Sequence, residues 1–180
     1  MEDAQLEKLR YPLGRFRFNS NADEKEIKKW ISNIEKLPTN LQKALKGLNE
    51  KKLDTPYREG GWMVKQVVHH LADSHMNAFI RIKLALSENT PTIKPYREAE
   101  WAEMNDVKKV SASVSLALLE ALHHRWTVLN KGIQAVDLSR TVFHPEKKRK
   151  VTIREFLCLY SWHSLHHCAH ITSLRKRMEW

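Results

Sequence analysis

This chain of 180 residues has only two cysteines and no long apolar run. No stretch approaches the roughly 20 apolar residues that a transmembrane helix needs, so a membrane span is not expected. The first residues, Met1-Glu2-Asp3-Ala4-Gln5, are acidic. They lack the apolar segment of a secretory signal, which points to the cytoplasm. Cys158 and Cys168 fall on one expected helix, ten positions apart. Ten helical residues span roughly 15 Å, beyond disulfide reach. Both thiols are expected to be reduced, with Cys168 a small buried hydrophobe rather than a ligand. Strand signals are sparse, and zinc-finger spacing and RNA-binding signatures are absent.

What is present is a globular composition, 42% hydrophobic and 29% charged. The length suits one domain over residues 1–180 with a core of its own. The net charge of +10 raises nucleic-acid binding as a possibility. The basic residues are scattered, however, apart from Lys147-Lys148-Arg149-Lys150 and Arg175-Lys176-Arg177. The first run reads as a loop; the second closes a helix, where cations favour the dipole. We read the charge as a solvated basic surface able to attract a small anionic substrate, without nucleic acid or membrane as partner.

Periodicity divides the chain into an extended arm at 1–20 and four helices at about 23–49, 62–87, 111–132 and 152–178. Asn21-Ala22-Asp23 offers caps for the first helix, and Pro38 breaks or kinks it. Residues 54–61 form a turn-rich loop. The connection 90–110 carries a short helix near 98–104, and 137–151 make a turn or small hairpin. Thr152 and Glu155 form a capping box for the last helix. The fold class is all-α: a four-helix bundle with an N-terminal extended arm.

Four of the ten histidines cluster in Trp162-His163-Ser164-Leu165-His166-His167-Cys168-Ala169-His170. Imidazole suits Zn, Ni, Cu and Fe, and ligands four apart share a helical face. Taking Ile153 as zero, His163 falls at about 280° and His167 at about 320°, within or beside the apolar stripe. His166 points away and His170 sits at the edge. On the second helix His69 faces outward, while His70 and His75 are equally placed to supply a third ligand. His123 and His124 lie on the polar side of the third helix, and His144 is a loop histidine.

Several stretches carry a resemblance. They are Asp54-Thr-Pro-Tyr-Arg-Glu-Gly-Gly-Trp62, Val67-Val-His-His-Leu-Ala-Asp-Ser-His75 and Tyr160-Ser-Trp-His-Ser-Leu-His-His-Cys-Ala-His-Ile171. Tyr11-Pro-Leu-Gly14, Ser115-Leu-Ala-Leu-Leu119, Arg125-Trp-Thr127 and His144-Pro145 join them. Together they resemble the YfiT-like group of the DinB-like superfamily over nearly the whole chain. The resemblance implies a bundle holding one divalent metal on three histidines. Carried over by motif position, these are His70, His163 and His167, so the resemblance favours His70 over His75. His75 and His170 then stand behind the ligands. Leu165 departs from the group, which carries a histidine there, but it is not a ligand position. The resemblance also implies a metal-dependent hydrolase, a homodimer, and kinship with proteins that transfer low-molecular-weight thiols such as bacillithiol.

Three neutral imidazoles leave a tetrahedral cation one open position, which suits zinc first and nickel second. Water there implies hydrolysis; a thiol there implies S-transfer. A structural zinc without turnover normally has a closed set of four ligands. Asp73 points away from the bundle and no glutamate is forced near the ligands, which favours thiol chemistry. Arg58, Arg81 and Arg125 are the candidate contacts for an anionic group.

Overall fold

The computed structural model describes residues 3–180. The N-terminal arm is not extended throughout, because Asp3–Arg10 forms helix α1. Two half-buried leucines, Leu6 and Leu9, are its only apolar signal, too little to register as a period. The chain turns at Gly14, whose φ of 76° suits a residue without Cβ. Trp162 donates its indole N–H to the Gly14 carbonyl at 3.2 Å, which ties this segment across the bundle.

The expected first helix is two helices, α2 (Glu24–Glu35) and α3 (Leu37–Leu45). Asp23 caps α2 by accepting from the Glu26 N–H at 2.7 Å. Pro38 lies in the first turn of α3. A proline has no N–H, so the Ile34 carbonyl four residues back lacks its helical partner. A short α4 (Glu50–Leu53) follows, then the long α5 (Val64–Ser87). The connection holds two short helices, α6 (Glu98–Trp101) and α7 (Asn105–Lys109), where one was expected. Helix α8 (Ala112–Lys131) is capped by Ser111. A 3-10 turn at Ala135–Ser139 leads into the hairpin β1 (Thr141–His144) and β2 (Arg149–Thr152), with Val142 opposite Val151. Helix α9 (Ile153–Met178) completes the fold.

Only half of the expected capping box forms on α9. Thr152 Oγ1 accepts from the Glu155 N–H at 3.0 Å. The Glu155 carboxylate turns instead to Arg149, which donates to both its oxygens at 2.7 and 2.6 Å. A fork of this kind is the stronger partner, and it fastens the hairpin to the start of α9.

Helix α2 packs on α8 and α9, and α5 packs on the same two helices. The first and second long helices therefore lie across the bundle from each other. Two apolar clusters fill the interior. One gathers Ile34, Ala78, Ile82, Trp126, Phe156 and Leu157. The other gathers Leu37, Leu41, Val67, Leu71, Leu119 and Ile171. Between them, on α5, α8 and α9, lie His75, His123, His163 and His167. A polar layer thus divides the core at mid-height. Among the described residues no helix is long and apolar enough to cross a membrane.

Candidate metal centre

Helices α5 and α9 bring His70, His163 and His167 together, with one ring nitrogen from each within 4.8 Å of the others. His70 Nε2 and His163 Nε2 lie 3.2 Å apart. Zinc–nitrogen bonds of about 2.0–2.1 Å set the nitrogens of a tetrahedral site about 3.3 Å apart, so the spacing fits a cation of that size. Metal binding also needs neutral rings. Burial lowers the pKa of His70 to about 4, with His170 adding to the effect. Burial first, then the neighbouring histidines, holds His163 and His167 well below the ordinary value. All three present lone pairs at neutral pH.

The rings behind them are also buried. His75 Nε2 lies 3.1 Å from His163 Nδ1, and His75 Nδ1 lies 3.0 Å from His123 Nε2. His123 Nδ1 donates to the Ile34 carbonyl at 2.7 Å. On the other flank His170 Nδ1 lies 3.4 Å from His167 Nδ1, and His170 Nε2 donates to the Arg10 carbonyl at 3.0 Å. His75 and His170 thus each touch one ring of the candidate ligand set, His163 and His167 respectively.

Other expectations need correction. His69 does not face solvent; it is buried between α5 and α8, against Ser115 Oγ at 2.7 Å and the Val110 carbonyl at 3.2 Å. His166 is buried too, because the N-terminal segment covers it and Trp162 stacks on it at 4.2 Å. His123 is 2% exposed, since α2 packs over the face that the wheel made polar. Arg125 is exposed and sits over the Phe79 ring, away from the histidines. Arg58 lies over Tyr57 and donates to the Glu59 carbonyl. Neither Arg58 nor Arg125 lines the histidine cavity. Cys168 is buried in a different wall of the bundle, its thiol pushed up to about 12 by burial.

The three rings line a cavity of about 420 Å³. Arg81, Glu98, His144, Glu146, Lys147 and Tyr160 share its wall. The sequence forced no glutamate towards the ligands, and the fold brings two, Glu98 and Glu146, into the cavity wall. Glu98 comes from α6 and Glu146 from the hairpin turn, elements without a helical period to place them. Glu98 is exposed at the cavity rim; partial desolvation there raises its carboxyl pKa, and Arg81 opposes that rise. Asp73 lies off the cavity as expected, its carboxyl raised to about 6 by burial, with Asp106 adding to the rise.

Comparison with known proteins gives this geometry a family. The DinB superfamily model matches residues 33–171. The chain belongs to the DinB superfamily. A Bacillus cereus (strain 03BB102) protein named "Putative metal-dependent hydrolase" is 53% identical over 172 residues, covering 96% of this chain and 98% of its own. A Bacillus mycoides (strain KBAB4) protein with the same description is 50% identical over 175 residues, covering 97% and 100%. Among solved structures, YfiT from Bacillus subtilis matches with a TM-score of 0.93 and 47% identity, covering 96% of this chain and 99% of that one. It is described as "a probable metal-dependent hydrolase with an unusual four-helix bundle topology". This DinB-superfamily chain has the matching architecture, with its first two long helices diagonal.

Proposed function

We propose that this protein is a metal-dependent hydrolase in which His70, His163 and His167 hold one divalent cation, zinc before nickel. The observation that carries this reading is the convergence of three neutral ring nitrogens on one cavity. Bound by these three imidazoles, such a cation would supply Lewis-acid activation of a water, lowering its pKa towards about 7. The chain's own groups do the remaining work. Glu98, with its raised pKa and its place in the wall, takes a proton from water and returns it to the leaving group. Arg81 and Lys147 offset Glu98 and Glu146 in the same wall and offer a small anionic substrate two cationic contacts. Trp62, Leu159 and Trp162 offer apolar surface to the rest of it. The exposed apolar residues Val114, Leu118 and Val128 on α8 support pairing of two copies.

Transfer of a low-molecular-weight thiol such as bacillithiol is the second reading, and Arg81 and Lys147 suit such an anionic thiol as well. The two carboxylates in the wall give hydrolysis the base it needs, so hydrolysis leads. The test is turnover of anionic ester and amide substrates by the zinc-loaded protein, with and without added bacillithiol. Hydrolysis is expected without thiol, and Glu98→Gln is expected to lower kcat by about 10²–10⁴-fold. Turnover only with thiol would overturn the hydrolytic reading in favour of transfer.

A further inference from the structure

We infer that two histidine chains, each rooted in a backbone carbonyl at a helix end, fix the tautomers of His163 and His167 so that both offer Nε2 to the metal. This rests on the ligand reading above and adds a role for His75, His123 and His170 as positioning residues.

The first chain begins at Ile34. A carbonyl only accepts, so the His123 nitrogen 2.7 Å from it, Nδ1, carries the proton. A neutral His123 then has a bare Nε2, which accepts from His75 Nδ1 at 3.0 Å. That leaves His75 Nε2 bare to accept from His163 Nδ1 at 3.1 Å. His163 is left with its lone pair on Nε2, the atom facing His70. Each step follows from the one before, because a neutral imidazole has one donor and one acceptor. Hydrogen bonding gives no carboxylate partner to any of these rings among the described residues, and His75 is fully buried. A second proton in the chain would be both unpaired and desolvated.

The second chain is shorter and begins at Arg10, the last residue of α1. Its carbonyl accepts from His170 Nε2 at 3.0 Å. The bare His170 Nδ1 then accepts from His167 Nδ1 at 3.4 Å, the longest contact in either chain. His167 too is left with its lone pair on Nε2.

Both roots are carbonyls at a helix end that lack the i+4 backbone donor. Arg10 closes α1. Ile34 keeps only the cap N–H of Lys36, because Pro38 has no N–H to return to it, which leaves its second lone pair for His123. His70 has no such chain; its ring packs against Trp62 with centroids 4.6 Å apart. Without metal, His70 Nε2 is thus the donor to His163 Nε2.

Nitrogen-detected NMR of the chelator-treated protein, with histidines labelled, reads the tautomers directly. The expected result is His163, His167, His75 and His123 all protonated on Nδ1, opposite to the ordinary preference of histidine in water. His170 is expected on Nε2. His163 protonated on Nε2 would overturn the proposal, whatever the protein does with metal. Zinc affinity measured against a competing chelator gives the second readout. His123→Leu, which touches no ligand, is expected to weaken zinc binding by about 10–100-fold. His123→Gln is expected to recover most of it, since an amide donates to Ile34 and accepts from His75. Unchanged affinity in His123→Leu would also overturn the relay. If His123→Leu does not fold, the tautomers of the unaltered protein decide. Failure of the unaltered protein to bind zinc would refute the ligand reading and leave the tautomer result standing by itself.

Discussion

Among the described residues no carboxylate hydrogen-bonds His123, although Glu35 and Glu120 line the same surface cavity, and burial lowers its pKa to about 4, against the opposing pull of the Ile34 carbonyl. In the unfolded chain the same residue titrates near 6.5. Between those values the unfolded state takes up a proton that the folded state refuses. The stability contributed by neutral His123 is therefore complete above pH 6.5 and is lost as pH falls towards 4. Its size is on the order of 3 kcal/mol. Denaturant unfolding of the metal-free protein is expected to give lower stability at about pH 4.5 than at about pH 7.5, with a smaller fall in His123→Gln. An equal fall in that variant would show that His123 is not the group refusing the proton. The sequence located His163 and His167 because the stripe of α9 that carries them is continuous. It misplaced His69, His123 and His166 for one physical reason. A helix wheel finds one buried arc, whereas α5, α8 and α9 each touch neighbours on two or more sides.

At the scale of elements, His69 shows what the wider arc does. Its ring joins α5 to Ser115 on α8 and to the Val110 carbonyl just before that helix. His69→Ala leaves both of those partners without it, at a cost of about 1–3 kcal/mol. Metal content is expected to stay intact in this variant while its melting midpoint falls, which calorimetry and metal analysis together check. Loss of metal would place His69 in the site. The long helices were legible from periodicity and caps, with Asp23, Ser111 and Thr152 all capping as read. Helix α1 was not, since it is held by the Arg10–His170 contact and the crossing of its following turn over Trp162. The cavity wall was the least legible part. Glu98, His144, Glu146 and Lys147 come from a short helix and a hairpin, and only the tertiary fold brings them to the histidines.

For the whole molecule, the ring order of helices decides which faces meet. Because α5 lies between α8 and α9, one of its flanks gives His69 to α8 and the other gives His70 to the site. Local periodicity carries no information about that order; the family resemblance supplied the choice of His70 over His75. The contacts behind the site supply its reason, since His75 is engaged at both nitrogens and has no lone pair left for a metal. The most direct test of the three-histidine centre is metal content after zinc loading and removal of excess, measured on the unaltered protein and on His70→Ala, His163→Ala and His167→Ala. About one zinc per chain is expected for the unaltered protein, and almost none for each variant. A full equivalent retained by any of the three folded variants would contradict the assignment.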